Sequence, residues 1–141
     1  MTEAMQKQIA AWREACESVE GLINNQPDLK DLNMLHGWFK KVHAWLAYLA
    51  TEQSRAEAHF AVHFTTIIKQ GIPDAAMKAI KGSSTSLERY TAGEAPELYA
   101  TWQTLTNLND AIKTILYDMR TNIATLREAD NRDAMQAPAQ K

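Results

Sequence analysis

One cysteine, five glycines and four prolines among 141 residues remove several kinds of chemistry at the outset. A lone Cys16 leaves no intramolecular disulfide framework and no cysteine-based zinc site. It fits a reducing compartment, so a cytoplasmic location is expected. There is no glycine-rich phosphate loop, no G-x-S-x-G elbow, no H-E-x-x-H and no Cys–His pairing at a recognisable spacing. The serine-rich GSSTS run at 82–86 has no base near it. No enzymatic activity and no cofactor are therefore expected. Nor does any stretch approach the ~20 consecutive apolar residues of a membrane span. The first twenty residues, MTEAMQKQIAAWREACESVE, mix charged with apolar side chains and read neither as a signal peptide nor as a span. Two-residue alternation of the kind that marks strands is missing too.

Charge of one sign is also lacking. The formal net charge is −2 and the pI about 6.1, so no chain-wide positive field draws in nucleic acid. The distribution is nonetheless uneven. Residues 1–28 carry two basic against five acidic side chains, and residues 29–70 five against three.

What is abundant favours helix: Ala, Leu, Lys, Glu and Gln. Met5, Ile9, Trp12, Cys16, Val19 and Ile23 follow a 4, 3, 4, 3, 4 spacing, which predicts a first helix from about Thr2 to Ile23. NNQPD (24–28) ends it, and Asp28 is placed to cap the next helix. That next helix spans about Asp28 to Lys69, roughly 60 Å. Its seam is Leu32, Leu35, Phe39, Val42, Leu46, Leu49, Gln53, Ala56, Phe60, His63 and Ile67. Trp38, Trp45 and Tyr48 form a second apolar strip beside that seam, wider than one helix contact covers. QGIPD (70–74) stops the helix. DAAMKAIK (74–81) reads as a short helix, GSSTS as a flexible loop, and 87–93 is ambiguous. A last helix begins at Pro96 and runs to about Glu128 on the seam Leu98, Trp102, Leu105, Asn109, Ile112, Leu116, Met119, Ile123 and Leu126. The expected fold is all-α, an elongated coiled-coil-like hairpin of two long helices with the N-terminal helix alongside. Residues 1–128 form one domain and 129–141 a disordered tail.

His59 and His63 stand four apart on one helical face, a spacing that can hold a metal ion. Glu52 shares that face, but the Glu-x-x-His pairs that complete such sites in helical bundles are absent. No metal is expected, and His63 reads as a polar seam residue. His36 and His43, seven apart, read as rim residues. Gln53, His63 and Asn109 are then candidate determinants of register or oligomer state, as polar seam residues are in coiled coils. The wide apolar faces lead us to expect a homo-oligomer. Trp12, Trp38, Trp45 and Trp102 fall on or beside seams and read as core.

Lys113, Arg120 and Arg127 recur every seven residues along one edge of the last helix, and Lys40 and Lys41 sit on the long helix before it. Such a line can track a phosphate backbone, or it can be the salt-bridging edge of a coiled coil. The segments LNMLHGWFKKVHAWLAYLATEQSRAEAHF (32–60) and LYATWQTLTNLNDAIKTILYDMRTNIATLRE (98–128) resemble the first long helix and the closing helix of small phage recombination mediators of the UvsY type. The resemblance is one of pattern and covers about two thirds of the chain. It implies a non-enzymatic oligomer that binds single-stranded DNA and helps a recombinase displace the single-strand-binding protein. The DNA contacts would fall on Lys40, Lys41, Lys113, Arg120 and Arg127. This chain departs from that pattern in its slightly acidic charge. The rival expectation is a protein-interaction module that grips another protein through its apolar faces or acidic first helix.

Overall fold

The computed structural model describes residues 2–74, 77 and 84–136, and among these the only regular structure is α-helix. The elements are α1 (Glu3–Asn24), α2 (Leu32–Gln70), α3 (Ser84–Glu94) and α4 (Pro96–Gln136). None of them is long and apolar enough to cross a membrane.

Each boundary has a local cause. Thr2 accepts a hydrogen bond from the Met5 N–H through its hydroxyl (3.2 Å) and starts α1. Asp31, rather than Asp28, caps α2, accepting from the Met34 N–H at 3.2 Å. Asp28 instead accepts from the Lys30 N–H (3.0 Å) in the preceding turn. The long helix therefore begins a turn later than its spacing suggests, and Leu32, the first residue of the expected seam, is 73% exposed. Gly71 ends α2 at φ +86°, a left-handed conformation that glycine adopts without strain. The ambiguous 87–93 stretch is helical, and α3 already includes Ser84–Ser86 of the expected GSSTS loop. The expected short helix at 74–81 lies outside the described residues, apart from Asp74 and Met77. Only Ala95 separates α3 from α4. The last helix continues past Glu128 to Gln136, so the first part of the expected tail is helix.

The α2 and α4 helices form an antiparallel hairpin, each about 60 Å long. Its core is the pair of seams: Leu35, Val42, Leu49, Ala56 and Phe60 against Leu98, Leu105, Ile112, Leu116 and Met119. Phe60 stacks on Trp102 at 5.1 Å between ring centres, with Tyr99 edge-on to Trp102. Helix α1 lies alongside and antiparallel to α2, burying Ile9, Trp12, Cys16 and Val19. Two indoles fasten it. Trp12 donates its ring N–H to the buried Glu52 carboxylate (2.7 Å), which Arg55 also contacts at 3.0 Å. Trp38 donates to the Leu22 carbonyl at 2.9 Å. Burial, with the Glu20 carboxylate adding to it, pushes the Cys16 thiol up to about 11, which keeps it neutral at physiological pH.

The two polar residues Gln53 and Asn109 meet each other. The Asn109 amide donates to the Gln53 side-chain oxygen at 2.9 Å, and Asn109 is only 4% exposed. The pair pins the register of α2 against α4 within one chain, so it lends no support to an oligomer. Replacing Asn109 by Leu alone strands the Gln53 amide and is expected to cost about 1–3 kcal/mol. Replacing both by Leu is expected to recover most of that loss. Denaturant titrations of the two singles and the double give the coupling directly.

Candidate nucleic-acid interface

Beside the buried seam of α4 runs an exposed edge: Lys113, Tyr117, Arg120, Ala124 and Arg127, spaced 4, 3, 4, 3. Tyr117 is 72% exposed, a full aromatic ring presented to solvent between two cations. The facing edge of α2 carries His36, Lys40 and His43 at the same spacing, all exposed. The antiparallel register joins the two edges. The Arg120 guanidinium lies 3.4 Å from the His43 ring nitrogen. One heptad in either direction sets Arg127 level with His36 and Lys113 level with Ala50.

The hairpin thus gathers Lys40, Lys113, Arg120 and Arg127 with two imidazoles onto one flank. From Lys113 to Arg127 the strip is about 21 Å long. Asp110, one turn before Lys113, and Glu128, next after Arg127, bound it. Coiled-coil edges normally pair such cations with carboxylates. Among the described residues the salt bridges are Lys7–Glu3 and Arg55–Glu52, and none involves the strip. Among the described residues, no carboxylate pairs with its cations.

Lys41 stands apart from the other four. It is 200° around α2 from His43 at 100° per residue, and it lines a groove between α1 and α2 instead. Tyr117 is absent from the contacts expected above, although its spacing of four from Lys113 and three from Arg120 marks it. His36 and His43, read as rim residues, belong to the strip.

The histidines at the far end of α2 have a different setting. His59 and His63 line a cavity of about 320 Å³ together with Thr2, Met5, Glu94 and Leu98. His63 faces this end of the bundle and not a partner in the seam, and its Nε2 is buried without a hydrogen bond. That setting gives it no register contact of the Gln53–Asn109 kind. His59 packs against Trp12, with ring centres 6.1 Å apart. Glu52 is occupied by Trp12 and Arg55. Among the described residues, no three His, Cys, Asp or Glu side chains converge as metal ligands would.

No protein-family model, curated protein or solved structure matches this chain.

Proposed function

We propose that this chain is a non-enzymatic helical protein that binds single-stranded DNA along the strip formed by Lys40, Lys113, Tyr117, Arg120 and Arg127. The observation that carries the reading is the exposed tyrosine set among cations that have no carboxylate partner among the described residues. Cations neutralise phosphates and release their counterions, while an exposed aromatic ring offers a stacking surface that any unpaired base can use. A duplex hides its base faces and gives Tyr117 nothing to stack on, so the strip favours single strands. The pattern shared with recombination mediators supports the same role, with a recombinase or single-strand-binding protein as the further partner.

Binding of a fluorescent oligothymidylate, followed by anisotropy across a salt series, tests this. Four phosphate contacts at about −0.7 each give an expected log–log slope of roughly −3. Affinity should fall roughly 60-fold between 50 and 200 mM salt. Absence of binding at 50 mM, or affinity flat across the series, contradicts the proposal. The rival reading, a protein-interaction module, draws its support from the groove between α1 and α2.

A further inference from the structure

On the side of α2 turned away from the strip, the hairpin leaves an apolar face open. Met34, Trp38, Lys41, Trp45 and Tyr48 follow a 4, 3, 4, 3 spacing there, a second seam about 21 Å long. The α1 helix covers only part of it. Trp38 is buried under Leu22, but Met34 is 63% exposed, Tyr48 37% exposed and Trp45 half-buried. Trp45 and Tyr48 stand edge-on to each other at 5.4 Å. The opposite wall, from α1, is lined by small side chains, Ala11, Ala15 and Ser18. Two adjoining hollows, of about 800 and 370 Å³, share Ser18 and Trp45 and together make one continuous groove.

The charges in this groove are arranged about Trp45. Lys41 lies on one side of it, one helical turn away, and Glu14 of α1 lies on the other side, by Ala44 and Tyr48. Both are exposed, and neither is in a salt bridge among the described residues. A two-fold axis through Trp45 exchanges the two ends of the groove. It therefore sets Lys41 of one copy opposite Glu14 of the other, twice, and Trp45 against Trp45 at the centre.

We propose that this groove seats the same groove of a second copy of the chain, as a two-fold dimer centred on Trp45. Only a partner with the opposite order of charges fits both ends, and a second copy rotated by the axis has that order. The small residues of α1 and Ala44 let the helices approach closely. Lys41 then serves assembly and not DNA contact. The strip lies about 150° away around α2, so the dimer carries its two strips on outer faces clear of the interface. The dimer and the strip stand or fall separately.

Sedimentation of the full chain at tens of micromolar tests the dimer. The expected mass is twice 15.9 kDa. Lys41→Glu and Glu14→Lys each turn two attractive contacts into two repulsive ones, and each is expected to weaken the dimer roughly 10- to 100-fold. The double variant Glu14→Lys/Lys41→Glu restores opposite charges and is expected to return within about threefold of the parent. A parent chain that sediments as a 15.9 kDa monomer overturns the proposal and leaves the groove to a helix of another protein. Single variants with undiminished dimerisation, or a double variant no better than the singles, overturn it as well. Oligothymidylate affinity per chain should stay unchanged in the double variant, which separates this result from any failure of the strip.

Discussion

Trp12→Ala is expected to destabilise the protein by about 3–5 kcal/mol, the range for deleting a buried indole. Trp12 is fully buried between α1 and the hairpin, and its N–H is one of two contacts on the Glu52 carboxylate. The substitution opens a cavity and also removes the buried partner of a buried carboxylate. What remains is Arg55, whose side chain is 63% exposed and whose contact is screened by water. For a chain of this size the loss amounts to a fall in Tm of roughly 10 °C or more. Trp12→Phe separates the two effects. It keeps most of the packing and removes only the donor, with an expected cost of about 1–3 kcal/mol. If Trp12→Phe were as stable as the parent, the hydrogen bond to Glu52 would be irrelevant. If Trp12→Ala moved Tm by only a degree or two, α1 would not be fastened to the hairpin as described.

The second large effect concerns the strip. Lys113→Ala/Arg120→Ala/Arg127→Ala removes three of the four strip cations from exposed positions. The salt dependence of oligothymidylate binding should then fall from a slope of roughly −3 to roughly −1. Affinity at low salt should drop by about two orders of magnitude or more. Stability should change little, because exposed substitutions away from packed features usually fall within about ±0.5 kcal/mol. Tyr117→Ala is expected to act differently. It should lose about 1–3 kcal/mol of binding with the salt slope intact, because stacking releases no counterions. A triple variant that binds like the parent would remove the strip from the account, whatever the parent binds.

The helical class and the three main helices are legible in the chain because heptad spacing is a local property. Met5 to Ile23, Leu35 to Ile67 and Leu98 to Ile123 can each be read without knowing what they face. Which face meets which is not local. Gln53 and Asn109 stand out as polar residues in two separate seams, yet their pairing depends on the antiparallel register of α2 and α4, 56 residues apart in sequence. The same register brings Arg120 to His43 and makes a strip of what reads as a line on one helix and rim residues on another. The helical step of 100° divides Lys40 from Lys41, adjacent in sequence, so that Lys40 joins the strip and Lys41 lines the groove. The start of α2 is not legible from spacing because Asp28 and Asp31 are both competent caps, and the turn between them decides. At the other end the polar composition after Glu128 points to disorder, whereas continuation of α4 to Gln136 follows from helix propensity with nothing to stop it.

Photo-crosslinking tests the strip most directly. Oligothymidylate irradiated on the protein and digested with trypsin should leave nucleotide mass on the peptide of residues 114–120, TILYDMR, which carries Tyr117. Tyr117→Phe should keep the site of attachment, and Tyr117→Ala should abolish it. Nucleotide attached instead to Trp45 or Tyr48 themselves, located by fragmentation of the peptide of residues 42–55 that also holds His43 of the strip, or to peptides of α1, would place the nucleic acid on the groove side of α2 and contradict the account.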